Sequence, residues 1–213
     1  VPDGTRIMGI AGAPYLLMLG MNSHGVANVS NSVCSTDNRI GIPNVFVRRR
    51  SIEAPDLEEA RIRGLHGARA RGTNHFCADL DGRLWDIETS ATGHAFIDRS
   101  TTGTMAHTNH YASPDMAAFE GSRSEESRVR LRTAERELAE GVACGEDPVE
   151  LVARVLRCHE PSAHEAICGH ADGSLPPAQR VMTVGSMICD LDERRLHVCA
   201  GPPCENPYQT FPM

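Results

Sequence analysis

The sequence predicts an α+β fold, in which antiparallel strands follow one another in runs and helices follow one another in pairs. Strand-like segments are separated only by turn residues such as Asp81-Gly82, which favours hairpins over parallel crossovers. Helical periodicity occurs twice, each time as two consecutive helices, and the predicted order is ββ(β), αα, ββββ, αα, ββ. The 213 residues, 40 % hydrophobic and 23 % charged, suit one globular domain over residues 1–213.

The first predicted element is a β-hairpin. Two short apolar strands are expected over residues 5–11 and 15–21, and the second runs into Asn22-Ser23-His24-Gly25. That composition is typical of a tight turn, and residues 26–33 then alternate apolar and polar as a return strand does. The turn therefore presents Asn22 as a candidate polar residue.

The first helix pair is predicted over residues 44–54 and from Pro55 to Gly72, with Pro at the start of the second helix. Arg48-Arg49-Arg50 resembles a phosphate cradle, but three successive arginines on a helix point in three directions. We interpret them as a solvated helix face rather than an anion site.

Four strands are predicted next, over residues 73–80, 83–89, 94–98 and 104–110. The last of them carries the polar sequence His107-Thr108-Asn109-His110, which is unusual for a half-buried segment. One interpretation is a hydrogen-bonded strand end. The other is a reaction site, in which Asn109 donates its amide N–H to a developing oxyanion.

The second helix pair begins with a helix over residues 122–142, whose inner face is predicted to hold Leu131, Ala134, Leu138 and Val142. Asp147, Pro148 and Glu150 form an N-cap, a first-turn proline and a capping glutamate, which predicts a helix over residues 148–158. Strands over residues 181–191 and 195–200 and an irregular tail over residues 201–208 complete the chain.

Composition excludes several classes of function. The net charge of −7 argues against nucleic acid or an anionic membrane surface as a partner, and no apolar run approaches the roughly 20 residues of a membrane span. All 21 basic residues are Arg, so a lysine Schiff base is excluded. The eight Cys include no C-x-x-C pair, which favours reduced, mostly buried thiols in a cytoplasmic protein.

A metal site is the main competing hypothesis. Potential ligands cluster late in the chain, at Cys158, His159, His164, Glu165, Cys168 and His170. Adjacent Cys and His cannot easily both bind one ion, and the spacing lacks the usual short gaps on both sides of a zinc site. We therefore predict that this segment binds no metal and that the protein needs no cofactor. A zinc-stabilised binding domain remains the alternative function.

Several motifs in a fixed order resemble the isopenicillin-N acyltransferase family of self-processing N-terminal-nucleophile (Ntn) hydrolases. The resemblance spans essentially the whole chain and implies a four-layer αββα sandwich. The motifs that carry it are Gly20-Met21-Asn22-Ser23-His24-Gly25-Val26, Gly41-Ile42-Pro43, His107-Thr108-Asn109-His110, Ala166-Ile167-Cys168-Gly169-His170, Thr183-Val184-Gly185-Ser186-Met187-Ile188 and Gly201-Pro202-Pro203-Cys204.

In this family the nucleophile is a Cys that becomes the N-terminus after self-cleavage. Its own α-amino group, with a pKa near 8, serves as the base. None of the eight Cys lies at the matching position, and only residues 1–19 precede the Asn22 turn. The resemblance therefore implies a fragment that lacks its N-terminal nucleophile region and is inactive alone.

The resemblance also assigns site residues. It implies that Asn109 is the oxyanion donor, that Arg180 orders the site, and that Asn22 lines the nucleophile's pocket, with His107 and His110 as supports at the substrate site. The family's usual Arg after Cys168 is Gly169 here, which affects substrate preference.

The implied activity is hydrolysis or transfer of the acyl group of a small N-acyl compound or acyl thioester. Acyl-CoA is among the candidate donors, and an amine or water is the acceptor. A catalytically dead interaction domain of the same fold is a further alternative.

Overall fold

A computed structural model describes residues 4–12, 14–97, 103–121, 125–162 and 165–213. It confirms an α+β protein in which strands and helices come in runs. Within the described ranges the strands are β1 (Ile7–Met8), β2 (Gly20–Asn22), β3 (Val26–Val29), β4 (Thr73–Asp79), β5 (Leu84–Thr89), β6 (His94–Ile97), β7 (Gly185–Asp190), β8 (Arg195–Ala200) and β9 (Gln209–Pro212), and the α-helices are α1 (Asn44–Ile52), α2 (Leu57–Gly64), α3 (Glu125–Ala143) and α4 (Pro148–Leu156).

The strands form two antiparallel sheets. β1 to β6 make a six-stranded sheet in sequence order, and β7 to β9 make a three-stranded sheet. The two sheets meet at an apolar cluster built on Met21 and Ala27 of the first sheet and Leu196 of the second. Such burial of apolar surface between layers is the main stabilising contribution to the fold.

Each sheet also contacts a helix pair. Side chains alternate along β3, so Val26 packs with Ala54 and Ala60 of the α1–α2 region, whereas Ala27 faces the second sheet. α4 contacts β7 and packs against α3 through Ala134, Leu151 and Val155. No helix in the described residues combines the length and the apolar character needed to cross a membrane.

The predicted hairpin is confirmed, with shorter strands. Gly25 closes its turn with a φ of +84°, and a Cβ there would lie 2.4 Å from the Leu80 side chain. Both the backbone conformation and the close approach therefore favour glycine at this position. Asn22 is buried and uses its whole amide. Its Nδ2 donates to the carbonyls of Ile52 and Ala54, both at 2.8 Å, and its Oδ1 accepts from the backbone of His24 and Val26.

Two predictions for the first helix pair were wrong. α2 ends at Gly64 rather than Gly72, because the following chain pairs with Ile42 through Ala68 and Ala70 backbone hydrogen bonds. Arg48 is buried rather than solvated, and its Nε donates to Thr73 Oγ1 at 3.0 Å. Burial lowers the pKa of Arg48 to about 10, which leaves it cationic at neutral pH.

The predicted strand over residues 104–110 is also wrong, because this segment is irregular. The Asn109 N–H, for example, donates to Ser127 Oγ at 2.8 Å rather than to a neighbouring strand. The predicted strand end at Asp98, the helix start at residues 122–124 and His164 lie outside the described residues.

At the C-terminal half the Asp147 cap is confirmed, since its carboxylate accepts the N–H groups of Val149 and Glu150. Val142, predicted on the inner face of α3, is half exposed, and Gly141 occupies the buried position against Leu151. β9 was missed, because Gln209–Pro212 lacks the alternation that marks a half-buried strand.

The burial of His75 predicts that the stability of the protein depends on pH. It is fully buried in β4, and neither ring nitrogen has a hydrogen-bond partner in the part of the chain that is described. Burial, reinforced by the charges of Arg48 and Arg69, lowers the pKa of His75 to about 3. The unfolded chain binds a proton there below about pH 6.5 and the native state does not, so stability should fall by up to about 1.4 kcal/mol per pH unit on acidification.

Urea unfolding between pH 7 and pH 4 measures this loss. His75→Leu should flatten the profile, and the exposed His66→Leu should not. If the free energy of unfolding falls with pH as steeply in His75→Leu as in the unsubstituted protein, His75 is not the cause of the loss.

Candidate active site

The buried carboxylate of Glu88 anchors the irregular segment that carries Asn109. Glu88 lies on β5 opposite Asn74 of β4, and its side chain is inaccessible to solvent. One oxygen accepts from His107 Nε2 at 2.7 Å and from the Ala112 N–H at 2.5 Å, and the other accepts from the Ser113 N–H at 3.0 Å. A buried charge of this kind is tolerated only when it is paired, so Glu88 and this segment hold each other in place.

His107 connects this anchor to the end of β3. Its Nε2 bonds Glu88, and its Nδ1 lies 3.3 Å from Asn31 Oδ1. The imidazole therefore fixes the backbone two residues before Asn109. No hydrogen bond among the described residues joins it to the Asn109 side chain, so its support is exerted through the backbone.

The amide orientation of Asn109 follows from its neighbours. Its Oδ1 lies 3.1 Å from Arg130 NH2, and a guanidinium has only donors, so the oxygen must face Arg130. The Nδ2 consequently points the other way and donates to the Ser32 carbonyl at 3.1 Å. An amide nitrogen carries two hydrogens, and no acceptor in the described residues engages the second. Asn109 is also exposed, so this N–H is available to a ligand.

Asn109 lies at the edge of a cavity of about 500 Å³ between the six-stranded sheet and the α3–α4 pair. The lining is mainly apolar, with a few polar groups on one side, as is usual for small-molecule sites. The lining residues are Val29, Ser30, Asn31, Phe76, Met105, Ala106, His107, Thr108, Asn109, Arg130, Ala134, Leu138, Val152, Val155, Leu156 and Ile167.

His110 supports the same segment from the opposite side. It is buried, and its Nδ1 lies 2.8 Å from Ser127 Oγ, the atom that also accepts the Asn109 N–H. Burial, with the charge of Arg128 nearby, lowers the pKa of His110, so the ring is neutral at physiological pH.

The two remaining predicted site residues lie apart from this group. Asn22 ties the first hairpin to α1 with its whole amide, as described above. Arg180 is exposed and donates to the carbonyls of Leu175 at 2.8 Å and Gly173 at 3.0 Å. Their roles in binding the substrate and ordering the site remain predictions.

Glu88, Ser127 and Arg130 were missed by the sequence interpretation. A signal existed for Glu88, because a glutamate inside a central strand must be paired if it is buried. Ser127 and Arg130 lie on α3 among many polar and charged residues, and their sequence positions do not distinguish them.

A larger cavity, of about 720 Å³, is lined by residues of α2, β5 and β6. There the guanidinium of Arg61 lies 5.3 Å from the Trp85 ring centroid and 5.7 Å from that of Phe96. This cavity contains none of the predicted site residues among its described lining, so the smaller one is the candidate site.

Comparison with known proteins gives one family. The family model described as acyl-coenzyme A:6-aminopenicillanic acid acyl-transferase matches residues 6–158, which is more than half of the chain. The matched region includes Glu88, His107, Asn109, His110 and Arg130. A comparison with curated proteins finds no match.

Proposed function

Because the chain belongs to the acyl-coenzyme A:6-aminopenicillanic acid acyl-transferase family, we propose that the cavity beside Asn109 is its acyl-transfer site. The cavity takes the acyl group of a small acyl thioester, such as an acyl-CoA, or of a small N-acyl compound. The acyl group then passes to an amine or to water.

The observation that carries this proposal is the oriented amide of Asn109. Attack on a thioester or amide carbonyl produces a tetrahedral oxyanion, which is stabilised by donors already pointing at it. Arg130 fixes the amide so that its uncommitted N–H faces away from the guanidinium, and Ser127 and Glu88 hold the backbone. Such a preorganised donor needs no rearrangement when charge develops.

The nucleophile in this proposal is a cysteine thiol at a processed N-terminus, with its α-amino group as the base. Two features of the described residues support a nucleophile outside the eight cysteines of residues 1–213. The described lining of the cavity includes no cysteine. Burial also raises the pKa of Cys77 and of Cys189 to about 12, which keeps both thiols protonated and unreactive at neutral pH.

The contacts of both sheets with helix pairs are consistent with the αββα sandwich of Ntn hydrolases. In that arrangement the nucleophile would reach the cavity from the six-stranded sheet, where Asn31 and Ser32 follow β3. We propose this architecture together with the mechanism, because an N-terminal nucleophile must sit on a rigid strand to meet Asn109.

Mass spectrometry of the acyl-enzyme tests the function. The full-length protein, incubated with acyl-CoA or an N-acyl substrate and quenched, is expected to carry the acyl group on an N-terminal cysteine. Residues 1–213 alone should carry none and should show no turnover. Turnover by residues 1–213 that a thiol-alkylating reagent abolishes would instead identify one of the eight cysteines as the nucleophile.

A further inference from the structure

Four potential metal ligands from separate parts of the chain converge at one end of α4. His159 follows the helix, Cys168 and His170 lie in the next loop, and Cys204 lies in the connection between β8 and β9. One atom from each, two sulfurs and two imidazole nitrogens, falls within 4.8 Å of all the others.

The individual distances are close to those of a tetrahedral site. Cys168 Sγ lies 3.5 Å from Cys204 Sγ, Cys204 Sγ lies 3.3 Å from His170 Nε2, and the Nε2 atoms of His159 and His170 are 3.0 Å apart. Zinc bonds of about 2.3 Å to sulfur and 2.0–2.1 Å to nitrogen place the ligands of a tetrahedron about 3.3 to 3.8 Å from one another. These three pairs need movements of only a few tenths of an ångström, and the other three pairs, which lie within 4.8 Å, must close by up to about 1 Å to hold the ion.

We propose that His159, Cys168, His170 and Cys204 bind one structural zinc ion. Two thiolates and two imidazoles are a ligand set that selects zinc, and four protein ligands complete the tetrahedron, as in structural rather than catalytic sites. Glu205 Oε1 lies 3.6 Å from His170 Nδ1. The carboxylate thus lies on the Nδ1 side of the ring, while Nε2 faces the other ligands.

This proposal reverses the prediction that the segment binds no metal. The sequence interpretation grouped Cys158 with its neighbours and found the spacing unsuitable, but Cys158 does not belong to the cluster. The backbone carbonyl of Cys158 accepts the Cys168 N–H at 3.0 Å, which brings the loop back to the helix end. The fourth ligand, Cys204, comes from a motif far along the sequence, which no local spacing reveals.

The ion would fasten the helix pair to the second sheet. α4 ends just before His159, and its residues Val152, Val155 and Leu156 line the acyl cavity, as does Ile167 of the loop. A bound ion would thus fix one wall of that cavity without meeting the substrate. The zinc proposal does not depend on acyl transfer, and each can fail without the other.

Elemental analysis of the purified protein is expected to find about one zinc per chain. Substitution by Co²⁺ should give thiolate-to-metal charge-transfer absorption together with the visible bands of a tetrahedral ion. Cys168→Ser and Cys204→Ser should each abolish the zinc and the charge-transfer band. His159 is exposed, so His159→Gln should weaken zinc binding without disturbing the core, which keeps the test informative if a cysteine variant fails to fold.

Cys158→Ser is the matched control, since it removes a neighbouring thiol outside the cluster and should retain one zinc. Three results would overturn the proposal. They are zinc-free protein after purification in zinc-containing medium, undiminished zinc in Cys204→Ser, and a Cys168–Cys204 disulfide in the freshly purified protein.

Discussion

Replacing Asn109 by alanine is expected to lower turnover of the active enzyme about 100- to 1,000-fold, the usual effect of losing one oxyanion donor. Stability should fall by no more than about 2 kcal/mol. The Asn109 side chain is exposed, and its bonds to Ser32 and Arg130 contribute on the order of 1 kcal/mol each. The physical distinction is that the oxyanion bond exists only during the reaction, whereas the other two exist throughout.

Single-turnover acylation measured beside thermal unfolding separates these effects. Asn109→Asp should be at least as damaging as Asn109→Ala, because a carboxylate has no donor and repels the developing negative charge. Arg130→Gln should lower the acylation rate less than either substitution of Asn109, since it loosens the Asn109 amide without removing its N–H. Normal acylation by Asn109→Ala, or a rate loss that only follows a loss of folded protein, would make Asn109 a structural residue.

Replacing Glu88 by alanine is expected to have the largest effect on stability, about 3–5 kcal/mol, because three hydrogen-bonded groups lose their acceptor at roughly 1–3 kcal/mol each. The substitution leaves the N–H groups of Ala112 and Ser113 and one nitrogen of His107 without their acceptor. In a protein of this size the midpoint of thermal unfolding should fall by roughly 6 to 20 °C. Turnover should also fall, because the backbone before and after Asn109 loses its attachment to β5.

Glu88→Gln should lose less stability than Glu88→Ala but more than the control. An amide keeps one acceptor oxygen, but it turns its own N–H donor towards other donors. His107→Ala should lower the rate less than Asn109→Ala, because two backbone groups still bond Glu88. Glu58→Ala on the exposed face of α2 is the control, and it should leave the midpoint of thermal unfolding nearly unchanged. If Glu88→Ala unfolds at the same temperature as Glu58→Ala, Glu88 does not anchor the segment.

The sequence predicted elements that local chemistry specifies. The Asn22 turn, the Asp81-Gly82 hairpin and the Asp147 cap each depend on a few neighbouring residues, and each was confirmed in the structure. Helix and strand ends depend instead on tertiary contacts. α2 ends early because Ala68 and Ala70 pair with Ile42, and no local pattern encodes that pairing.

The residues of the candidate site also fall into two groups, those that the local sequence singles out and those that depend on tertiary contacts. His107, Asn109 and His110 could be singled out because four polar residues in succession are unusual. The structure places His107 and Asn109 in the lining of one cavity, and His110 contacts Ser127, which also bonds the Asn109 backbone. Glu88 and Arg130 escaped notice because their role depends on which face of a strand or helix meets this segment. The strand predicted over residues 104–110 failed for the same reason, since side chains from β5 and α3 supply its hydrogen bonds.

The segment over residues 104–110 is attached through side chains, so its position can change in ways that are not open to a strand in a sheet. In a β-ladder, a shift of one residue moves every side chain to the opposite face, so small changes are not accessible. Here Glu88, Ser127 and Arg130 hold separate points of the segment through individual hydrogen bonds, none of which belongs to the ladder of the sheet. The distance between the Asn109 amide and the cavity wall can therefore change in small steps without a change of register in the sheet.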